Sequence, residues 1–168
     1  MTASKRPAEI FPLLTLHWGW LLAAIVVIHL LQVSFHWRQD TAVDVFVIVL
    51  WSLAQAGWLK SADTRSKAIY WYVAIVVLNL VSLALDNAVR MPNGVDVVLG
   101  IATAAVSIAS SFVFRSEMQR YFNDTDDVGL KLSPWMTLFF STLYFQYHFH
   151  KIAKLKKQHP TTSEPAEA

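Results

Sequence analysis

The sequence contains no cysteine and few glycines. The absence of cysteine excludes disulfide bonds, thiolate metal ligands, iron–sulfur clusters and cysteine nucleophiles. With five glycines the chain has little scope for a phosphate-binding glycine loop, and it contains neither a GxSxG nor an HExxH motif. We therefore expect no catalytic site of a recognised class, no cofactor and no metal.

Charged residues are also scarce. They make up 15% of the sequence, against roughly a quarter in soluble proteins, whereas hydrophobic residues make up 55%. The formal net charge of +2 is too small to indicate a nucleic-acid partner, and the basic residues lie between and after the apolar runs. This balance is typical of an integral membrane protein, whose first partner is the lipid bilayer.

Four apolar runs are long enough to cross about 30 Å of hydrocarbon, which takes about 20 helical residues. They lie at residues 11–35, 42–59, 68–89 and 95–114. The sequence therefore predicts an all-α fold with a four-helix transmembrane bundle after a cytoplasmic segment at residues 1–10. We also predict a cytoplasmic polar linker at residues 115–133, an interfacial or half-inserted helix at 134–157 and a disordered tail at 158–168.

The basic residues of the loops predict the orientation, because cytoplasmic loops carry an excess of lysine and arginine. The first and third loops carry only Arg38 and Arg90. The N-terminus, the second loop and the linker together carry Lys5, Arg6, Lys60, Arg65, Lys67, Arg115, Arg120 and Lys131. Both the N-terminus and the C-terminus of a four-span protein are therefore predicted to be cytoplasmic.

The last apolar run, residues 134–147, would rise about 21 Å as a helix, which is less than the hydrocarbon thickness. Its tryptophan and tyrosine side chains favour the headgroup level. We predict one helix from Pro134 to Lys156 on or partly inside the cytoplasmic leaflet; the alternative is a fifth crossing, buried against the other four. The lysines at its end, which would contact anionic lipid headgroups, are Lys151, Lys154, Lys156 and Lys157.

The pattern LSPWMTLFF…LYFQYHFHKI, at residues 132–152, resembles the C-terminal part of small polytopic bacterial inner-membrane proteins of unknown function. The resemblance implies a bacterial inner (plasma) membrane as the location, and it implies no activity. The positions that match are Thr137, Tyr144, Gln146, Tyr147 and His148.

Polar residues within the spans are the candidates for chemistry. The candidate cluster, in the predicted outer half of the bundle, comprises His29, Asp44, Asn79, Asp86 and Asp96. An ionisable group inside a membrane is costly unless it is paired or hydrated, so this cluster would suit a proton or cation pathway. The alternative is that the three acids lie at the outer interface and pair with Arg38 and Arg90.

Small residues on the fourth run, such as Gly100 and Ser111, predict close helix contacts with hydroxyl groups bonding across them. The second, third and fourth runs contain no histidine, so a bis-histidine haem site is not expected. His17 on the first run would be able to pair only with His148 or His150 on the terminal helix.

These observations favour a membrane-embedded binding or accessory subunit that contacts other membrane proteins or a second copy of itself. The competing hypothesis is a small proton or cation transporter or channel that uses the outer-half His/Asp cluster.

Overall fold

The computed structural model describes residue 10 and residues 12–34, 42–88, 93–126 and 129–158. Every regular element in these ranges is a helix, which confirms the predicted all-α fold. The elements are a 3-10 helix (Pro12–Thr15), α1 (Trp18–Ser34), α2 (Ala42–Ala62), α3 (Ala68–Ala88), α4 (Asn93–Asp126) and α5 (Pro134–Gln158). Nearly all of the predicted N-terminal segment and of the predicted tail lies outside the described residues.

Two of the described helices contain stretches long and apolar enough to cross a membrane: Ala68–Leu85 in α3 and Val97–Thr125 in α4. In each of them, only 17% of an 18-residue apolar segment is buried within the protein. The apolar part of α1 that can be described, Trp18–Ile28, is shorter. The structure therefore confirms an all-helical chain with two candidate membrane spans. The other two spans stay a prediction.

Helix α4 is longer than the sequence predicted. It continues to Asp126, so most of the predicted linker at residues 115–133 is helical. The physical reason is an apolar stripe at helical spacing, which comprises Phe114, Met118, Tyr121 and Phe122 and is buried. The polar residues between these positions conceal the stripe in the linear sequence.

The hydrophobic core lies at one end of the bundle, where α2 connects to α3; we call this end the base. Among the described side chains, burial begins at Ser52 on α2, ends at Ile75 on α3 and begins at Ser110 on α4. The core is largely aromatic, and Trp58 packs edge-on against Phe149 with ring centroids 5.1 Å apart. The base is therefore the compactly packed part of the molecule.

The opposite halves of α3 and α4 are open by comparison. Val77, Leu80, Val98 and Ile101 are all more than half exposed. A Cβ atom added to Gly100 would meet no atom of the described residues within 4 Å. The described helices therefore do not make the close contact that was predicted at Gly100.

Helix α5 begins and ends close to the predicted positions but is interrupted at Ser141, where φ is 31° and ψ is −106°. A positive φ is uncommon for a residue with a Cβ atom. The interruption divides α5 into a first leg, residues 134–140, and a second leg, residues 142–158. No proline or glycine marks this position in the sequence, so the break was not predicted.

The direction of α5 along α4 reverses at Ser141. Ahead of the first leg, Leu132 accepts a hydrogen bond from Arg115 Nε at 2.8 Å, whereas Ser141 Oγ lies 3.0 Å from Ser111 Oγ, nearer the start of α4. In the second leg, Phe149 packs against Phe122, farther toward the end of α4, at 6.2 Å. Both ends of α5 thus lie toward the base, and Ser141 forms the tip of a re-entrant helix pair.

A hydrogen bond holds the two legs together, since Ser133 N–H donates to the hydroxyl oxygen of Tyr144 at 3.0 Å. The legs differ in burial. In the first leg Trp135 and Phe139 are 68% and 72% exposed, whereas in the second leg Phe145 and Phe149 are fully buried. The first leg therefore presents exposed aromatic side chains, whereas Phe145 and Phe149 of the second leg pack into the core. The predicted interfacial location of the helix stays a prediction.

Candidate functional site

The largest cluster of buried polar side chains is a seam between α2 and the second leg of α5. The seam comprises Trp51, Ser52, Gln55, Thr142 and Gln146. These residues face each other because positions 52 and 55 on α2, and 142 and 146 on α5, recur at helical spacing. The face of α2 that carries Trp51 and Gln55 therefore packs against α5.

Each amide in the seam has a defined orientation. Trp51 Nε1 and Gln55 Nε2 both donate to Gln146 Oε1, at 3.1 and 3.2 Å. Gln146 Nε2 donates to the carbonyl oxygens of Leu14 and Leu16, each at 2.9 Å. Gln146, which is 1% exposed, thereby joins α2, α5 and the 3-10 segment that precedes α1.

Two hydroxyl groups complete the seam. Ser52 Oγ donates to the carbonyl oxygen of Ile48 at 2.9 Å and lies 2.7 Å from Thr142 Oγ1. Since the single proton of Ser52 goes to Ile48, the hydroxyl of Thr142 donates to Ser52.

One acceptor in the seam is not satisfied. Gln55 Oε1 is buried and has no hydrogen-bond partner among the described residues, although Gln55 Nε2 donates to Gln146 and, at 3.4 Å, to the Thr142 carbonyl. A buried amide oxygen without a partner costs about 1–3 kcal/mol. The other hydrogen bonds of the seam must offset this cost. Among the described residues of the base, the seam is thus the polar region that contains a buried side-chain acceptor without a partner.

A histidine pair borders the seam. The rings of His17 and His150 lie 5.2 Å apart at 75°, so His150 is the histidine of the terminal helix that contacts His17. His17 Nδ1 accepts the Gly19 N–H at 3.1 Å, whereas His150 Nδ1 lies 2.8 Å from the Thr15 carbonyl oxygen. In these contacts the Nδ1 atom of His17 is the acceptor, whereas the Nδ1 atom of His150 is the donor.

A second polar cluster fixes the α2–α3 connection to α4. The buried carboxylate of Glu117 accepts hydrogen bonds from Ser66 Oγ at 2.5 Å and from the N–H groups of Lys67 and Ala68 at 2.9 and 3.0 Å. Glu117 thus caps the first turn of α3 from another helix, where a negative charge is favoured.

Asp63 completes this connection. It accepts hydrogen bonds from Arg65 Nε at 3.2 Å and from Arg120 Nη2 at 3.1 Å. Burial raises the pKa of Asp63, but the hydrogen bonds from the Arg65 backbone and side chain and from Arg120 outweigh burial and hold the pKa below its ordinary value. Asp63 and Glu117 are therefore acids with structural partners inside the base.

His148 lies in the second leg with its ring 4.6 Å from that of Tyr144. Burial, with a smaller contribution from the charge of Lys151, lowers the pKa of His148 to about 4. His148 is therefore neutral at ordinary pH. This position and Gln146 matched the resemblance, and both lie in the packed second leg.

The structure describes one side chain of the predicted outer-half cluster. Asn79 Nδ2 donates to the carbonyl oxygen of Ile75, one turn earlier in its own helix, at 2.8 Å. The side chains of His29, Asp44, Asp86 and Asp96 lie outside the described part of the chain, so their predicted association stays a prediction. Within the described residues, no three His, Asp or Glu side chains are grouped so that they could hold a metal ion.

The predicted headgroup-binding lysines lie on the second leg. Lys151 and Lys154 are exposed. Lys156 Nζ lies 5.8 Å from the ring centroid of Phe122. The side chain of Lys157 falls beyond what the structure describes.

Sequence reasoning missed the seam as a unit, although both of its glutamines were visible as amides inside apolar runs. Comparison with protein-family models, with curated proteins and with solved structures finds no match to this chain.

Proposed function

We propose that the protein is an integral membrane protein of the bacterial inner membrane, with four spans, and that it acts as a binding or accessory subunit. One observation carries the membrane location: the 18-residue apolar segments of Ala68–Leu85 and of Val97–Thr125 are each only 17% buried. The core helix of a soluble protein buries most of such a stretch, because exposed apolar area of this extent is unfavourable in water. A lipid environment removes that cost.

The base faces the cytoplasm in this proposal. Lys67, Lys131, Lys151 and Lys154 are exposed at or near the base, whereas two acids of the same end, Asp63 and Glu117, are buried and hydrogen-bonded. Basic residues close to anionic lipid contribute about 1 kcal/mol each and favour the cytoplasmic side.

The role as an accessory subunit is supported by the open halves of α3 and α4. The surface around Gly100 is apolar, and its backbone is accessible to an approaching helix. Small residues let membrane helices approach closely. This surface is therefore available to a helix of another membrane protein or of a second copy.

Gly100→Leu tests the accessory role. The new side chain meets open space, and leucine is the better helix former by up to about 1 kcal/mol, so stability is expected to be equal or higher. The substitution would nevertheless block a helix packed against Gly100. Purification from native membranes in a mild detergent should recover a partner in constant stoichiometry with the parent, and Gly100→Leu should reduce that recovery about ten-fold or more, a loss of about 1.4 kcal/mol.

The matched control is Gly94→Leu, which adds the same side chain to the same helix where a Cβ atom also meets nothing, but on another face. It should leave the partner bound. The accessory role is wrong if the parent is recovered alone. Proton or cation flux in reconstituted vesicles, abolished by Asp44→Asn, would support the transporter instead.

A further inference from the structure

The tip of α5 borders a cleft of about 220 Å³ on the side that faces α1 and α2. Its walls are Leu21 and Ile25 of α1, Ile48 of α2, and residues 139–143 of α5. No described side chain of α1 is buried, so α1 is packed less closely than the other helices that border this cleft.

The side-chain hydroxyl groups that line the cleft already have partners. Ser141 Oγ lies 3.0 Å from Ser111 Oγ, and Thr142 Oγ1 lies 2.7 Å from Ser52 Oγ. A buried water molecule requires two to four polar partners, and apolar cavities without them stay dry. The other lining side chains are apolar, so the cleft suits an apolar occupant.

The position of the cleft along α4, relative to the hydrocarbon layer, indicates which apolar molecule would reach it. Ser141 contacts Ser111, which precedes Glu117 at the α3 cap by six residues, or about 9 Å along α4. Half of the hydrocarbon layer is about 15 Å thick. If α4 spans the membrane as proposed above, the cleft lies at the level of the acyl chains of the leaflet next to the base.

We propose that the cleft binds one acyl chain of a phospholipid from the cytoplasmic leaflet, between α1, α2 and the tip of α5. The proposal rests on the proposed membrane location. The bound chain supplies the apolar contacts that α1 lacks and holds α1 beside the tip. The headgroup lies near the first turn of α1, where His17 and Trp18 are exposed and where tryptophan favours the interface.

Photocrosslinking tests this site. The purified full chain is reconstituted in vesicles of phosphatidylethanolamine and phosphatidylglycerol that contain a trace of phosphatidylglycerol with a diazirine on one acyl chain. After irradiation, labelled peptides are quantified by mass spectrometry. Residues 139–143 should be labelled at least about five-fold more than the open face of α3 around Val77, which corresponds to about 1 kcal/mol of preference.

Leu21→Trp fills the cleft from the α1 side and should reduce the labelling of residues 139–143 about five-fold, with the labelling near Val77 unchanged. Leu22→Trp is the matched control: Leu22 is 39% exposed and does not line the cleft, so labelling should persist. Ile48→Trp fills the cleft from the opposite wall and should act like Leu21→Trp. A melting temperature equal to that of the parent identifies the variants that are folded.

Equal labelling of residues 139–143 and of the α3 face would overturn the acyl-chain site and leave the membrane location standing. Unchanged labelling in both folded cleft-filling variants would overturn it as well. An absence of labelling throughout α3, α4 and α5 would instead contradict the membrane location, and with it both proposals.

Discussion

Replacement of Gln146 by leucine is expected to lower the free energy of unfolding by about 2–4 kcal/mol. Leucine preserves most of the volume but removes all four hydrogen bonds of the Gln146 amide. The Trp51 and Gln55 donors then lose their common acceptor, and two carbonyl groups lose their donor. Each buried group left unpaired costs about 1–3 kcal/mol, and the partial exposure of Trp51 and Leu16 lets water recover part of this.

Unfolding of the purified protein in detergent, followed by circular dichroism against increasing denaturant, measures this effect. Gln119→Leu is the matched control, because Gln119 makes a single long hydrogen bond, 3.4 Å to the Leu130 carbonyl, and is partly exposed. It should cost less than about 1 kcal/mol. In Gln146→Leu, amide exchange at residues 13–16 should also accelerate. Equal stabilities for the two variants would mean that the seam does not hold the 3-10 segment in place.

Replacement of Glu117 by alanine is expected to cost about 2–4 kcal/mol. The substitution leaves the first N–H groups of α3 and the Ser66 hydroxyl without their acceptor, and loss of an N-cap alone costs about 0.5–2 kcal/mol. Here the cap also joins α3 to α4, and its loss leaves a small cavity where Glu117 was 8% exposed. The effect should therefore exceed that of an ordinary surface cap.

A graded series makes this prediction specific. Glu117→Gln keeps one acceptor oxygen and should lie between Glu117→Ala and the parent in thermal stability. Asp124→Ala removes a carboxylate that is 58% exposed and 4.0 Å from Arg65 Nη2, and it should change stability by less than about 0.5 kcal/mol. If Glu117→Ala behaves like Asp124→Ala, the cap is not the feature that secures the α2–α3 connection.

The apolar runs predicted the positions of α2, α3 and α5 closely, because helix length and hydropathy are local properties of the sequence. The extension of α4 beyond Phe114 was not predicted, since Arg115, Ser116 and Glu117 read as the start of a loop. Glu117 is polar because it caps α3, which is a tertiary reason that no local pattern carries. At the break in α5, Ser141 Oγ lies 3.0 Å from Ser111 Oγ, which is likewise a tertiary contact that no local pattern carries.

The seam, too, is predictable from the sequence only in part. Gln55 and Gln146 are each conspicuous as amides in apolar surroundings, and the faces on which they lie follow from helical spacing. Their meeting depends on the reversal of α5, which turns its second leg parallel to α2. The predicted outer-half cluster, by contrast, required polar residues of four helices to converge, whereas Asn79 bonds to its own helix.

In the proposed topology the base is cytoplasmic, and α5 enters and leaves the membrane on the same side. The absence of native cysteine makes a direct test possible. Single variants Ser61→Cys, Asn93→Cys and Gln158→Cys are treated in intact cells with a thiol reagent that does not cross membranes, and again after the cells are opened. We expect Asn93→Cys to be labelled from outside, whereas Ser61→Cys and Gln158→Cys should react only in opened cells. Labelling of Gln158→Cys together with Asn93→Cys in intact cells would contradict this topology, because α5 would then cross the membrane.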